Sequence, residues 1–321
     1  MTDRALWHVA AGRAELRAAE PAGGEVVVRA LASGISRGTE RLVHLGRVPP
    51  SEFEGMRCPN QDGDFSFPVK YGYCAVGVVE RGPAALIGRR VFCLHPHQSR
   101  FALPASLCTA LPDALPDARA CLGANMETAL NTLWDAAPLP GERALVIGAG
   151  VVGLLAARLL SRIPGMAVTV VDRDAGKAAI CAALGLAFAT PDAAPAGQEL
   201  ILHATASEAG LRLALDRAAF EARIVEASWF GSAEPALPLG GPFHRKRLRL
   251  ISTQVGSVSP AIRRTHGERM ALALDLLAAD PALDALLGPF VPFDDLPGRF
   301  TALVDPPPGS PQPLCPVVTY S

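Results

Sequence analysis

The first third of the chain is written in short apolar runs. Residues 25–33 (EVVVRALAS), 74–82 (CAVGVVERG) and 89–95 (RRVFCLH) are rich in β-branched residues, are punctuated by Gly and Pro, and predict strands. Between them, residues 46–68 (GRVPPSEFEGMRCPNQDGDFSFP) follow no single period. A segment that long in a compact domain is expected to be a lid or binding loop.

From about residue 120 the pattern changes to alternating helix and strand. CLGANMETALNTLWDA (121–136) has helical spacing, RALVIG (143–148) reads as a buried strand, and VVGLLAARLLSRI (151–163) as a helix stopped by Pro164 and Gly165. AVTVVD (167–172), ELILHAT (199–205), ARIVEAS (222–228) and RLRLIST (247–253) continue as strands, with a helix over 175–185 ending at Gly185. Repeated βα units with apolar strands imply an α/β class and a parallel sheet covered by helices on both faces. A last helix is expected over 267–280, and the Pro-rich tail ends in a strand-like run that can return to the β-rich part. The expected organisation is a discontinuous β-rich domain, 1–118 and 286–321, around a nucleotide-binding domain, 119–285.

Composition narrows the function classes. A chain of 321 residues, 50% hydrophobic, can bury the cores of two domains. With 19% charged residues and a net charge of −1 it offers no field to nucleic acid or acidic lipid. No apolar run is long enough to span a bilayer, and the N-terminal stretch lacks the order of a signal peptide, so a cytoplasmic protein is expected. The seven cysteines are scattered and form no C-x-x-C, which argues against a disulfide framework or a four-cysteine zinc lobe.

The sharpest chemistry lies in RALVIGAGVVGLLAARLL. Gly148, Gly150 and Gly153 stand in G-x-G-x-x-G spacing after a strand and at the head of a helix, with Val151 and Val152 inside the turn. The next strand ends in Asp172, nineteen residues after Gly153. Gly148 permits the tight turn, Gly150 lets a pyrophosphate approach the backbone, and Gly153 lets helix and strand pack closely. Asp172 can accept hydrogen bonds from adenosine ribose hydroxyls and repel a 2′-phosphate, which favours NAD. Arg173, directly after it, leaves NADP open.

With these features in this order, the chain resembles the medium-chain dehydrogenase/reductase superfamily. GEVVVRALASGISRGTE, YGYCAVGVVERG, GRRVFCLHPHQSRFALPA, METALNTLWDA, GERALVIGAGVVG and RLRLISTQVGS carry the resemblance over nearly the whole length. SGISRGTER is most similar to proteins known as zinc-binding alcohol dehydrogenases and to bacteriochlorophyllide dehydrogenases. The resemblance implies a GroES-like β-rich catalytic domain, a Rossmann domain, a nicotinamide cofactor and a homodimer joined along the edge strand near RLRLISTQVGS. It also implies zinc in many members, but the ligand positions here hold Ser36 (or Arg37), Tyr73 and about Ala124, with Glu127 nearby. Hydroxyls and an alanine do not replace thiolate and imidazole, so no metal site and no zinc are expected.

Without zinc, a hydroxyl network must polarise the substrate oxygen. Tyr73, at the histidine position, is the first candidate, weighed against a tyrosine merely packed in a strand. Tyr71 shares its parity. Ser36 and Thr39 can relay a proton or simply cap a turn, and Glu40 can pair with Arg37 or touch substrate. His95 can shuttle a proton. With His97 and one of Cys74, Cys93 or Glu127 it is also the only metal alternative. Thr205 to Ser207 and Trp229 fall at the carboxyl edge of the expected sheet, near the nicotinamide ribose by family position. FHRKRLRL (243–250) reads as a solvated strand edge or an attractor of anionic substrate. Three readings stand: a zinc-independent alcohol–carbonyl oxidoreductase acting on a small-molecule substrate, a reductase of activated carbon–carbon double bonds, and a nucleotide-binding protein without catalysis.

Overall fold

The computed structural model describes residues 2–307, 309–310 and 312–321. The chain divides into two compact units, residues 1–124 with 270–321 and residues 125–269.

The first unit begins with strands β1 (Arg4–Ala10), β2 (Arg13–Ala18) and β3 (Val26–Gly34), helix α1 (Arg37–His44), and short strands β4 (Asp62–Gly63) and β5 (Val69–Lys70). It continues with β6 (Ala75–Arg81), β7 (Arg90–Cys93), β8 (Arg100–Leu103), β9 (Thr109–Ala110) and helix α2 (Asp117–Ala120). Helix α3 (Gly123–Ala136) leads into the second unit. There β10 (Arg143–Ile147), α4 (Val151–Leu160), β11 (Ala167–Val171), α5 (Ala178–Ala183) and β12 (Ala187–Ala189) alternate. They are followed by β13 (Gln198–His203), α6 (Glu208–Arg217), β14 (Ala218–Glu226) and β15 (Arg249–Ser252). Helix α7 (His266–Ala279) leads back to β16 (Leu287–Pro292), α8 (Leu296–Val304) and β17 (Cys315–Thr319).

The second unit is a parallel sheet ordered β12-β11-β10-β13-β14-β15, with every neighbouring pair parallel. Its strands are apolar on both faces because helices cover both. Leu145, Ile147, Val171, Ile201 and Ile224 pack against Ala214 and Leu215 of α6 in one buried cluster. Helix α6 starts where Ser207 accepts a hydrogen bond from the Gly210 N–H, a side-chain cap on an otherwise unpaired donor. The strand order reverses between β10 and β13, which leaves a crevice at their carboxyl ends.

In the first unit, β16-β17-β3-β6-β7-β9 form one sheet, with β8 added on β3, and β2-β1-β5-β4 form another. The tail does return: β17 pairs antiparallel with β3, and Arg37 fastens its approach by donating to Pro313 O and Gln312 Oε1, both at 2.6 Å. Two apolar clusters build the interior, one around Leu6, Ile35, Leu296, Phe300 and Val318, the other around Val28, Val79, Val91 and Phe101. The 46–68 segment is not free-standing. Phe53 packs on Phe65 and Phe65 on Tyr71, with ring centroids 5.6 and 5.7 Å apart. Among the described residues no helix is long and apolar enough to cross a membrane.

One buried ion pair organises the loop after β15. Arg269, 1% exposed, donates to Glu127 Oε1 at 3.0 Å, to Asn131 Oδ1 at 2.6 Å, and to the carbonyls of Val255 and Ser257. Burial pushes the Glu127 carboxyl above its ordinary range, against the pull of the guanidinium. Removing one partner strands the other in a dry interior. R269M is therefore expected to lower unfolding stability by about 3–5 kcal/mol, and E127Q by less, as measured by urea denaturation.

Candidate functional site

In the β-rich unit the turn from β3 into α1 places Ser33, Ser36, Thr39 and Glu40 within one stretch. Glu40 has no exposed surface. Its Oε1 accepts the Ser36 N–H at 2.7 Å, at the head of α1, and its Oε2 lies 2.9 Å from His97 Nε2. His97 Nδ1 lies 2.7 Å from Ser33 Oγ, and Ser33 Oγ 2.8 Å from the Tyr320 hydroxyl. One set of roles satisfies the whole chain: Tyr320 O–H donates to Ser33, Ser33 O–H to His97 Nδ1, and His97 Nε2–H to the carboxylate. Burial raises the pKa of Tyr320 and keeps it a phenol. Glu40 thus pairs with His97, while Arg37 goes to the C-terminal segment.

Tyr73 sits beside this network. It follows β5 in an irregular stretch rather than in a strand, and its ring meets Tyr71 edge-on at 5.9 Å. Its phenol interacts with the hydroxyls of Ser36 and Thr39, so three of the expected residues come together. Burial, with Cys74 and Glu40 nearby, raises its pKa more than the two hydroxyls lower it, and Tyr73 stays a neutral donor. Among the described residues no three His, Cys, Asp or Glu side chains come together to hold a metal ion.

His95 stands apart from the Tyr73 group. It stacks on Phe101 at 3.9 Å, and its Nδ1 lies 2.9 Å from Pro96 O. Burial lowers its pKa to about 3, which describes a packed neutral imidazole. A further histidine pair closes the joint between β1, α1 and α8. His8 Nδ1 is 3.0 Å from His44 Nδ1, and His44 Nε2 is 2.8 Å from Thr301 Oγ1, which itself donates to Gly12 O. With the hydroxyl committed as donor, His44 carries its proton on Nε2 and accepts from His8 Nδ1–H. His8 Nε2 is then a buried acceptor without a partner. Burial lowers both histidines.

In the α/β unit the cradle lies at the switch point. Gly148 has φ +114°, and a Cβ there would meet Thr205 Cγ2 at 2.7 Å. A Cβ on Gly153 would strike Gly148 O at 2.0 Å, so the helix packs on the turn only because Gly153 has none. A Cβ on Gly150, the residue before α4, would meet nothing within 4 Å. That open space beside the unpaired N–H groups of α4 fits a pyrophosphate. Val151 is buried and Val152 half-buried in the first turn. Asp172 closes the turn: its carboxylate accepts from Ala149 N–H at 2.8 Å and Asp174 N–H at 2.9 Å. Arg173 is exposed.

Thr205 belongs to a network that sequence reading missed. Its Oγ1 lies 2.6 Å from His203 Nε2 and 2.7 Å from Ser207 Oγ, and His203 Nδ1 lies 2.5 Å from Glu226 Oε2. His203 is fully buried at the end of β13, with Phe230 stacked at 6.1 Å. The available signal was position, since both His203 and Glu226 close strands at the sheet's carboxyl edge. The basic run 243–250 enters the edge strand β15, with Lys246 donating to Ala218 O and Arg247 paired to Glu221.

No protein-family profile matches the chain. A stretch of 100 residues is 40% identical to 2-desacetyl-2-hydroxyethyl bacteriochlorophyllide A dehydrogenase of Cereibacter sphaeroides, and it spans 30% of this chain and 25% of that one. Among solved structures, a Sinorhizobium meliloti protein described as a zinc-binding dehydrogenase, bound to NADP, superposes with TM-score 0.79 at 16% identity, over 99% of each chain. An Escherichia coli alcohol dehydrogenase complexed with NADH gives 0.79 at 17%, over 100% of each. The 2R,3R-butanediol dehydrogenase of Bacillus subtilis gives 0.75 at 17%, over 99% of each. These likenesses establish the fold, a GroES-like β-rich domain and a Rossmann domain as in medium-chain dehydrogenases/reductases.

The buried neutral histidines set a pH dependence. His8, His44 and His95 all take up protons more readily unfolded than folded. Their contribution to stability is complete above the unfolded value of about 6.5 and is lost as pH falls toward the folded values. For His95 the loss runs from about 6.5 down to about 3. The unfolding free energy from urea denaturation is expected to fall below pH 6.5, by up to about 1.4 kcal/mol per pH unit for each such group while the pH lies between its unfolded and folded values. H95N is expected to flatten the profile.

Proposed function

We propose that the protein is an NAD(P)-dependent oxidoreductase that interconverts an alcohol and a carbonyl, prefers NAD, and works without zinc. The observation that carries this reading is the cradle. Gly150 leaves open space at the head of α4, at the switch point of a six-stranded parallel sheet, which suits a pyrophosphate, and Asp172 lies against that turn at the end of the next strand, a position that suits an adenosine ribose. The NADP and NADH held by structures of the same fold support a nicotinamide cofactor. Such a dinucleotide, when bound, gives or takes a hydride. A carboxylate at Asp172 disfavours a 2′-phosphate, and hence NADP.

The chain's own part in the chemistry is to hold the substrate oxygen and manage its proton. A neutral phenol at Tyr73 donates a hydrogen bond to a carbonyl oxygen and can surrender its proton to the stronger base, an alkoxide. Ser36 and Thr39, on the phenol, can return that proton. The same donors would also polarise an enone. The zinc positions, occupied by Ser36, Tyr73 and Ala124, keep that second reading in view. The exposed edge strand β15 fits a homodimer joined sheet to sheet, with Leu250 43% exposed along it.

Parallel titration with NADH and NADPH, followed by nicotinamide emission, tests the reading, and tighter binding of NADH is expected. Binding of neither would end it, and a substrate panel of alcohols, ketones and enones separates the two chemistries. G150V should weaken NADH binding at least about tenfold while leaving the melting temperature nearly unchanged, because a Cβ there meets no protein atom within 4 Å. Y73F should lower kcat about 10²–10⁴-fold without changing NADH affinity, and a chelator should leave activity unaltered.

A further inference from the structure

Cys93 and Cys108 hold their Sγ atoms 4.0 Å apart. Strand register explains the meeting. β7 and β9 run antiparallel with Val91 opposite Ala110 and Phe92 opposite Thr109, so the next step places Cys93 opposite Cys108. Leu111 N–H donates to Arg90 O at 2.9 Å, which makes Arg90 and Leu111 a hydrogen-bonded pair. Alternation then gives Cys93 and Cys108 a non-hydrogen-bonded position, where facing side chains approach most closely. Cα atoms at such positions are about 4.5 Å apart, inside the span a disulfide bridges.

The two sulfurs live in unlike surroundings. Cys93 is 1% exposed and packed with Ala75, Val91 and Phe101, whereas Cys108 is half-buried and reachable from solvent. The hydrogen bond from Cys93 lowers the pKa of Cys108 against the effect of burial, and the same bond with burial raises that of Cys93. Elsewhere burial pushes thiols the other way, to about 12 for Cys58 and Cys315 and about 11 for Cys181. Cys74 and Cys121 rise well above the ordinary value for the same reason.

We propose that Cys93 and Cys108 form a reversible redox pair, in which a hydroperoxide oxidises Cys108 and Cys93 resolves it to an intrachain disulfide. The Cys108 thiolate attacks the peroxide, a sulfur–oxygen bond forms, and the oxygen–oxygen bond breaks. The departing hydroxide takes a proton and leaves as water. Cys93 sulfur then displaces the hydroxyl of the sulfenic acid. A sulfur–sulfur bond forms, and the thiol proton leaves with that hydroxyl as a second water. In sum, two thiols and one hydrogen peroxide give one disulfide and two waters, and a dithiol reductant restores the thiols. The bond closes over residues 94–107, the segment that carries His95 and His97, so the oxidation state is built into the strand that leads to the Glu40 network.

The test treats the purified full-length protein with one equivalent of hydrogen peroxide, alkylates it under denaturing conditions and maps the peptides. The expected result is one peptide pair joined through Cys93 and Cys108, cleaved by dithiothreitol, with the other five of the seven cysteines alkylated. C93S should leave Cys108 as a sulfenic acid that dimedone labels, and C108S should give neither link nor label on Cys93. Three results would overturn the proposal: Cys108 still alkylated while other cysteines oxidise, Cys108 carried to sulfinic acid in the wild-type chain without a link, or a link joining two chains.

Discussion

A carboxylate shut off from water must be answered from within the protein, and in the β-rich unit the Glu40 carboxylate is answered on both oxygens. One bond fixes the head of α1 through the Ser36 N–H, and the other draws in His97 from the segment after β7. His97 holds Ser33 at the end of β3, and Ser33 holds Tyr320 from the C-terminus. Three distant stretches of chain, residues 33–40, His97 and Tyr320, therefore converge around one buried carboxylate. Ser36 and Thr39 take their places on that turn and the Tyr73 phenol, from the stretch after β5, meets them there, so the geometry of the hydroxyl group depends on a pair that need not itself touch substrate.

The α/β unit meets a comparable demand with different means. Its cradle depends on missing atoms: Gly153 lets α4 close on the turn, and Gly150 leaves its flank open. Polar groups then lock the surroundings, with Asp172 holding the turn's N–H groups, and Glu226, His203, Thr205 and Ser207 in a row at the sheet's carboxyl edge. The buried Arg269–Glu127 pair fixes the loop that follows β15. Removal of a glycine's freedom and removal of a buried partner are both costly here, for reasons that are steric in one case and electrostatic in the other.

Legibility in the sequence followed the range of the physics. Strands and helices could be read because their periods are local, and RALVIG, AVTVVD and ELILHAT fall within a residue or two of β10, β11 and β13. The cradle could be read because its glycines answer steric demands a few residues apart. The Glu40 network could not be read: its partners are separated by 57, 64 and 287 positions, and no spacing rule links them. Arg269, 142 positions from Glu127, was invisible for the same reason, and so was the aromatic packing that ties the 46–68 segment to Tyr71. His95 shows the converse. A histidine conspicuous in the sequence proves to be stacked on Phe101 and held neutral by burial.

The commitment of Glu40 bears on how this unit can act on a substrate. With Oε1 bound to a backbone N–H and Oε2 to an imidazole, the carboxylate could bind a cation only by giving up bonds that shape the turn and the β7 segment. His97 is spent in the same way, one nitrogen on Glu40 and the other on Ser33. The acid and the histidine are therefore committed to structure first. The groups hydrogen-bonded to the Tyr73 phenol are the hydroxyls of Ser36 and Thr39, which donate hydrogen bonds well and hold metals poorly. On the proposed reading, that division suits a site that polarises an oxygen by hydrogen bonding, with the buried pair holding the turn that carries Ser36 and Thr39.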